Sequence, residues 1–358
     1  SNTAVGASSF YYNSTGYESV AVGLNAGYSF GRGSHTPHSS VFVGNNSGYY
    51  ATGSYNTFVG KDAGKGGTTG TPYSSGEYNV AVGYQSLEAF TTGFRNVGVG
   101  KDTLGSLTTG QKNTAIGDEA FFTLDKGDYS VAVGAAAGYF ATGSNNTFMG
   151  YEAGKGGTTS APFSSGEGNV ALGYQALKAF TTGGDNIAIG YQAAEALTTS
   201  NMVIAIGHSA AQSFTADRGY GIYIGRLAGQ AETGVYNDTI VGGEAGYSQN
   251  MGGAGASYSY STYIGYRAGY YNVSGLSNTY VGNEAGFSKT GAGNTAVGAD
   301  AMFGGSNAVN SGDNNTAVGN VAGAYFQGDY AVAVGAQAGR YASGSVSYTH
   351  LTLPTNKA

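Results

Sequence analysis

The stretch Asn294-Thr-Ala-Val-Gly-Ala-Asp-Ala301 decides how the chain is to be read. It is an Asn-Thr-Ala-Val-Gly word followed by two free positions and Ala. Close variants recur at 56–63, 113–120, 146–153, 278–285 and 315–322, with looser copies such as 19–26, 79–86 and 186–193 between them. Anchored on the glycine, the word occurs nineteen times, from Gly6, Gly23 and Gly44 to Gly298, Gly319 and Gly335, at spacings of 16 to 23 residues. Two-helix repeats need about 33 residues or more, so a period this short predicts one coil of a parallel β-solenoid per word. The fold class expected is therefore all-β, a solenoid or β-roll of about nineteen short coils.

Within each coil the residue before the glycine is aliphatic or Met, and the residue three before it is Val, Ile or Thr. Both point to one side of a strand, and their apolar or β-branched character predicts that this side is the core. The residue between them points the other way. It is Ala in eleven coils and aromatic at Phe42, Phe58, Phe148, Tyr223, Tyr263 and Tyr280. A strand apolar on both faces is expected to be covered on both, by a second strand of its own coil and by a neighbouring subunit; the alternative is an exposed Ala/Tyr stripe. The glycine suits a positive φ at the strand's end. Three residues on, the side chain is always small, which predicts close packing in a thin coil. An Asn four before the glycine in eleven coils predicts a stacked amide ladder.

Composition narrows the function. Gly is abundant at 65 residues, but no Gly-X-Y period exists, so collagen is excluded. Fifteen Lys and Arg against 21 Asp and Glu, a net charge of −6, do not make a phosphate-binding surface, so nucleic acid is not an expected partner. No apolar run reaches the length of a membrane span. The absence of Cys fits an exported protein, weakly. The repeat predicts a single domain over 1–344. The tail 345–358 shares nothing with the coils and reads as translated adapter sequence or a linker; with a coil already under way at Asn2, the chain reads as a fragment of something longer.

A longer order overlies the coils. Residues 56–110 are nearly repeated at 146–200, and the three 23-residue coils fall five coils apart. Their insertions carry Pro72 and Tyr73, Pro162 and Phe163, and Tyr258 and Tyr260, which are the expected ligand-binding loops. Passive decoration left by duplication is the alternative. Acidic residues gather two after the glycine, at Asp62, Asp102, Glu119, Glu152, Glu244, Glu284 and Asp300. Adjacent pairs such as Asp102 and Glu119 would stand about 5 Å apart, the carboxylate spacing of a retaining glycosidase. The same column also holds Asn25, Asn46, Gln85 and Gln175, as a solvated polar ladder does. His35 and His38 form a close His pair without a nearby carboxylate, which is weak as a metal site. No catalytic, cofactor-binding or metal-ligating residue is assigned, and the expectation is no enzyme and no cofactor.

The words Asn-Thr-Ala-Val-Gly-x-x-Ala and Ser-Val-Ala-Val-Gly resemble two groups of repeats. One is the head of the YadA-like trimeric autotransporter adhesins. The other is the repeats of phage tail fibres, often found upstream of a self-cleaving chaperone domain. The resemblance spans about 2–344 and implies a left-handed coil and a homotrimer. The coils here are longer than those of the adhesin heads, and with the Thr-Thr-Gly returns they favour the tail-fibre-like member. Together these readings imply a non-catalytic structural or adhesive fibre segment. It would be extracellular, on a bacterial surface or virion tail, and would bind surface glycans or matrix through loops and aromatic residues. Two alternatives are an ice-binding solenoid, which needs a regular Thr array where the column three before the glycine holds nine Thr against ten Val or Ile, and a polysaccharide-degrading spike.

Overall fold

The structure is a computed structural model that describes residues 1–32, 36–67, 73–157, 163–215, 220–231, 237–248, 259–304 and 311–341. Among them there is no α-helix, and nineteen strands of three or four residues follow in chain order. The chain divides into two compact units, Ser1–Asp185 and Asn186–Ala358. Each is a parallel β-solenoid.

In the first unit ten strands run from Asn2–Val5 to Val170–Leu172, each paired in parallel with the next. Ile116 sits opposite Val99 on one side and Val133 on the other, so residues seventeen apart stack directly. The 23-residue coil leaves this register untouched, with Thr57 opposite Val80. The second unit carries nine strands, from Ile187–Ile189 to Val332–Val334, in the same arrangement. The strand-end glycines adopt φ of about +130°, as at Gly117 (φ 130°), where a Cβ would meet the Gly134 carbonyl at 2.6 Å. Only glycine fits such a rung-to-rung approach.

The faces of the strand are the reverse of the sequence expectation. Middle residues such as Phe58, Ala81, Ala115 and Tyr280 are fully buried, whereas first and last residues such as Thr114 and Ile116 face outward and are half-exposed or exposed. The expected second strand is also missing among the described residues. The physical reason is the tightness of the coil. Glu119, Phe121 and Tyr129 all take left-handed conformations (φ 56°, 51° and 56°), and equivalent residues do so in most coils. Each such residue reverses the chain, so turns rather than a second strand close the coil. Those turns are laddered too, as in the bond from Phe121 N–H to the Ala137 carbonyl at 2.9 Å.

Size complementarity explains which middle residues are large. Wherever the middle residue is Phe or Tyr, the fourth residue after the glycine is itself Gly; Phe58 faces Gly64 and Tyr280 faces Gly286. A Cβ on Gly64 would lie 2.3 Å from the Phe58 ring. In several coils where the middle residue is Ala, a large side chain fills the space instead, as with Ala81 and Leu87 or Ala115 and Phe121, all fully buried. The small column three after the glycine, with Ala63, Ala120 and Ala153 wholly buried, completes the interior.

The asparagine column is buried and hydrogen-bonded. Asn96 accepts the Asn113 backbone N–H through Oδ1 at 3.0 Å and donates through Nδ2 to the Gly110 carbonyl at 2.8 Å. Asn79 and Asn113 repeat the pattern, and in the second unit Asn278 and Asn294 do so. The column therefore fastens each strand to the return turn of its coil as well as to the next rung. The second unit also buries Lys289, whose Nζ donates to the Phe326 carbonyl at 3.4 Å. Burial pulls this ammonium down to about 8, against the smaller upward pull of Asp313 and Asp329.

Candidate recognition surfaces

Four surfaces of the coils carry chemistry. The first is the outward face of each sheet, where the last strand residues form an aliphatic stripe. Ile116 is 42% and Met149 43% exposed in the first unit, and Val334 is 45% exposed in the second. The first strand residues run beside it. In the second unit they form an unbroken Thr column over five rungs: Thr239, Thr262, Thr279, Thr295 and Thr316.

The second surface is the acidic column two after the glycine. Among the described residues its carboxylates other than Asp300 are paired with a cation or an amide. Lys101 reaches Asp102 at 2.8 Å and Glu119 at 3.3 Å, and these hydrogen bonds push the ammonium above its ordinary value. Glu152 receives Lys155 at 2.6 Å, Lys178 at 3.1 Å and the Gln175 amide at 2.8 Å. Burial acts to raise the Glu152 carboxyl, but these three donors outweigh it and hold the group at about 2. A glycosidase acid needs the opposite shift. Glu244 pairs with Arg226 and Arg267 in the second unit, and Asn46 bridges Asn25 to Asp62 in the first. The column is a charged and amide ladder.

The third surface gathers aromatic residues five and six after the glycine. Tyr11, Tyr28 and Tyr49 stack in turn with centroids 5.2 and 4.5 Å apart, and Arg32 lies over Tyr12 at 4.0 Å. The Tyr12 hydrogen bond pushes the Tyr28 phenol up to about 12. Of the expected loop residues, Tyr73 folds back to stack on Tyr50 (6.4 Å), and Phe163 does the same on Phe140 (6.0 Å). Tyr260 is exposed at the end of its insertion. Pro72, Pro162 and Tyr258 lie outside the described residues. The structure thus joins two insertion aromatics to ladders on the preceding coil. Stacking covers ring faces, so these ladders present mainly edges and hydroxyl groups.

The fourth surface, missed in the sequence, lies five and six before the glycine, where the returning turn meets the strand. Five successive rungs present Tyr55, Tyr78, Arg95, Lys112 and Tyr129, each held in a left-handed conformation. Tyr78 stacks on Tyr55 at 4.6 Å. The Arg95 guanidinium carbon lies 5.7 Å from the ring centroids of both Tyr78 and Phe94. Lys112 donates to the Tyr129 hydroxyl at 3.1 Å. A groove of about 360 Å³ is lined here by Ser75, Gly76, Glu77, Tyr78, Thr92, Phe94 and Arg95. The signal that marks it in the sequence is where the internal duplicates differ: Tyr78, Phe94 and Arg95 correspond to Gly168, Gly184 and Asp185.

Of the His pair, His35 lies outside the described residues, and His38 stacks on Tyr17 at 5.0 Å. Among the described residues, no group of three His, Cys, Asp or Glu side chains is placed to hold a metal ion. No described helix is long and apolar enough to cross a membrane. No protein-family model matches the chain, and no curated protein matches it.

Proposed function

We propose that this chain is a non-catalytic structural and adhesive fibre segment, tail-fibre-like or adhesin-head-like, that works outside the cell on a bacterial surface or virion tail. Its coils assemble as a homotrimer, and its insertion bases and turn edges bind surface glycans or matrix. The observation that carries the reading is the aliphatic stripe, repeated rung after rung on the outward face of a sheet whose inner face already forms the core. A copy of the same chain, in the same register, offers each rung an identical apolar partner. Tyr, at 30 residues, supplies ring edges and hydroxyl groups for the glycan contacts. Light scattering of the folded protein is expected to give three times the chain mass. A glycan array is expected to give hits that deletion of the six extra residues of each long coil, 68–73, 158–163 and 253–258, weakens. A monomer would remove the assembly, and an empty array for both forms would remove the recognition.

A second reading is favoured by the outward Thr column of the second unit. Five consecutive rungs place Thr opposite Thr beside Val or Ile, the in-register repeat an ice-binding solenoid needs. It competes for the face that the trimer covers. A monomer showing thermal hysteresis would replace the fibre reading, and a trimer without hysteresis would remove the ice-binding one.

A further inference from the structure

We infer that the groove at Tyr78, Phe94 and Arg95 is a binding site for an acidic sugar, that is, a pyranose bearing a carboxylate within a polysaccharide. The inference rests on the glycan-binding reading and names the ligand class for one site within it.

The cations of the acidic column are consumed by carboxylates: Lys65 by Glu88, Lys101 by Asp102, Lys155 and Lys178 by Glu152. Arg95 is different. Among the described residues no carboxylate lies within 4.0 Å of it, although Glu77 lines the same groove. Its guanidinium is exposed beside two rings, Tyr78 and Phe94. A planar, always-charged fork beside aromatic surfaces is suited to take a carboxylate in two parallel hydrogen bonds while the Phe94 ring takes an apolar sugar face and Tyr78 offers its edge and hydroxyl. Tyr78 has one face covered by Tyr55, and Arg95 lies on its next-rung side.

The rest of the lining fits hydroxyl groups. Ser75 and Thr92 donate and accept, and Glu77 accepts. Glu77 in the same groove repels any anion, a phosphate dianion more strongly than the single charge of a sugar carboxylate. Lys112 stands on the following rung, about 4.8 Å further along. Its ammonium is drawn to Tyr129 one rung beyond, so an acidic chain that continues past Arg95 along the rungs meets a second cation.

The duplicate supplies the control. At the matching positions Ser165, Gly166, Glu167 and Thr182 are retained, but the two rings and the cation are Gly168, Gly184 and Asp185. The polar floor is kept and the three groups that define the ligand are gone. The same backbone carries both versions: Tyr78 has φ 58° and Gly168 φ 68°, and the carbonyls of Glu77 and Glu167 accept the N–H of Arg95 (3.0 Å) and Asp185 (2.8 Å). The triple variant Tyr78→Gly, Phe94→Gly, Arg95→Asp therefore places only side chains that this coil already accommodates elsewhere.

The test is calorimetric titration with oligogalacturonate and with oligomeric sialic acid, using a neutral cello-oligosaccharide and dextran sulfate as comparison probes. The protein forms are the whole chain, the triple variant, the milder Arg95→Gln and the deletion of the three insertions. One or both acidic probes are expected to bind at one site per chain. Affinity should fall about tenfold or more in Arg95→Gln and be lost in the triple variant, with melting temperatures unchanged. The reciprocal variant Gly168→Tyr, Gly184→Phe, Asp185→Arg should raise the stoichiometry to two. In that variant, removing Asp185 also relieves the 2.4 Å approach its Oδ1 would make to a Cβ on Gly168. Binding that the groove variants leave intact, or equal binding of dextran sulfate, would overturn the site in favour of diffuse charge attraction. Neutral-sugar binding that depends on the insertions, with no acidic-sugar binding, would overturn the site and leave the fibre reading standing. Failure of every sugar would remove the glycan reading with it.

Discussion

Asn96 shows how much of the stability of a coil rests on one side chain. Its amide is fully buried and satisfies the Asn113 N–H and the Gly110 carbonyl at once. Asn96→Ala strips both partners where water does not reach, at about 1–3 kcal/mol for each group left unpaired. The midpoint of denaturant unfolding should fall accordingly, and Asn96→Ser should recover part of the loss. Ser130 already accepts the Asn146 N–H in the equivalent place at 3.1 Å. Glu152 gives the pH counterpart. Its folded carboxyl is held at about 2, below the ordinary 4.5, so its contribution is complete above 4.5 and is lost as pH falls towards 2. Glu152→Gln should lower stability at pH 7, and the gap from the parent should close between pH 4.5 and 2 in denaturant melts. A gap that persists unchanged to pH 2 would mean that packing, and not charge, is what Lys155 and Lys178 provide.

At the scale of one coil, the interior is a matched pair of sizes. Phe58 against Gly64 and Ala81 against Leu87 are two solutions for one volume, and Leu87 takes the same left-handed φ, 54°, as Gly64. Phe58→Ala alone should cost about 3–5 kcal/mol by leaving a cavity. Gly64→Leu alone should cost at least 1–3 kcal/mol by overpacking against the ring. The double variant reproduces the neighbouring solution and should recover most of the loss, a coupling that a double-mutant cycle measures directly. This relation also explains what the sequence concealed. Rung register was legible because the strand-end glycine recurs in every coil and admits no replacement. Which face is the core was not legible, because Ile116 and Thr114 outside are as β-branched and apolar as Ala115 inside is small. The decisive signal lay in pairs of columns, Phe with Gly and Ala with Leu, and not in the hydropathy of any one of them. The left-handed residues that replace the second strand were half-visible as Asn25, Asn46 and Asp62, residue types that tolerate that conformation. The recognition edges divided in the same way. Tyr73 and Phe163 were marked by the insertions, whereas Tyr78, Arg95 and Lys112 share a column with Asn145 and Asp185 and show no compositional bias of their own.

For the molecule as a whole, the question is what the repeated aliphatic face does. A lone exposed Ile or Val on a protein surface needs no explanation. Here the same exposure recurs at Val82, Ile116 and Met149 in one unit and at Ile264, Val297, Val318 and Val334 in the other. Covering one such side chain contributes on the order of 1 kcal/mol, so no single rung holds an assembly together and truncating one residue should leave it intact. A charge acts differently, because an unpaired carboxylate enclosed at an interface costs far more than the apolar contact it removes. Ile116→Glu together with Val133→Glu puts two such charges on adjacent rungs, where they also repel each other. Both side chains point away from the core, so the monomer should keep its fold and its strand signal in circular dichroism. The proposed trimer should dissociate to single chains in light scattering, with Ile116→Ala as the control that stays assembled. If the parent chain is already a monomer with this face bare, the aliphatic stripe serves something other than self-association, and thermal hysteresis becomes the measurement that decides what.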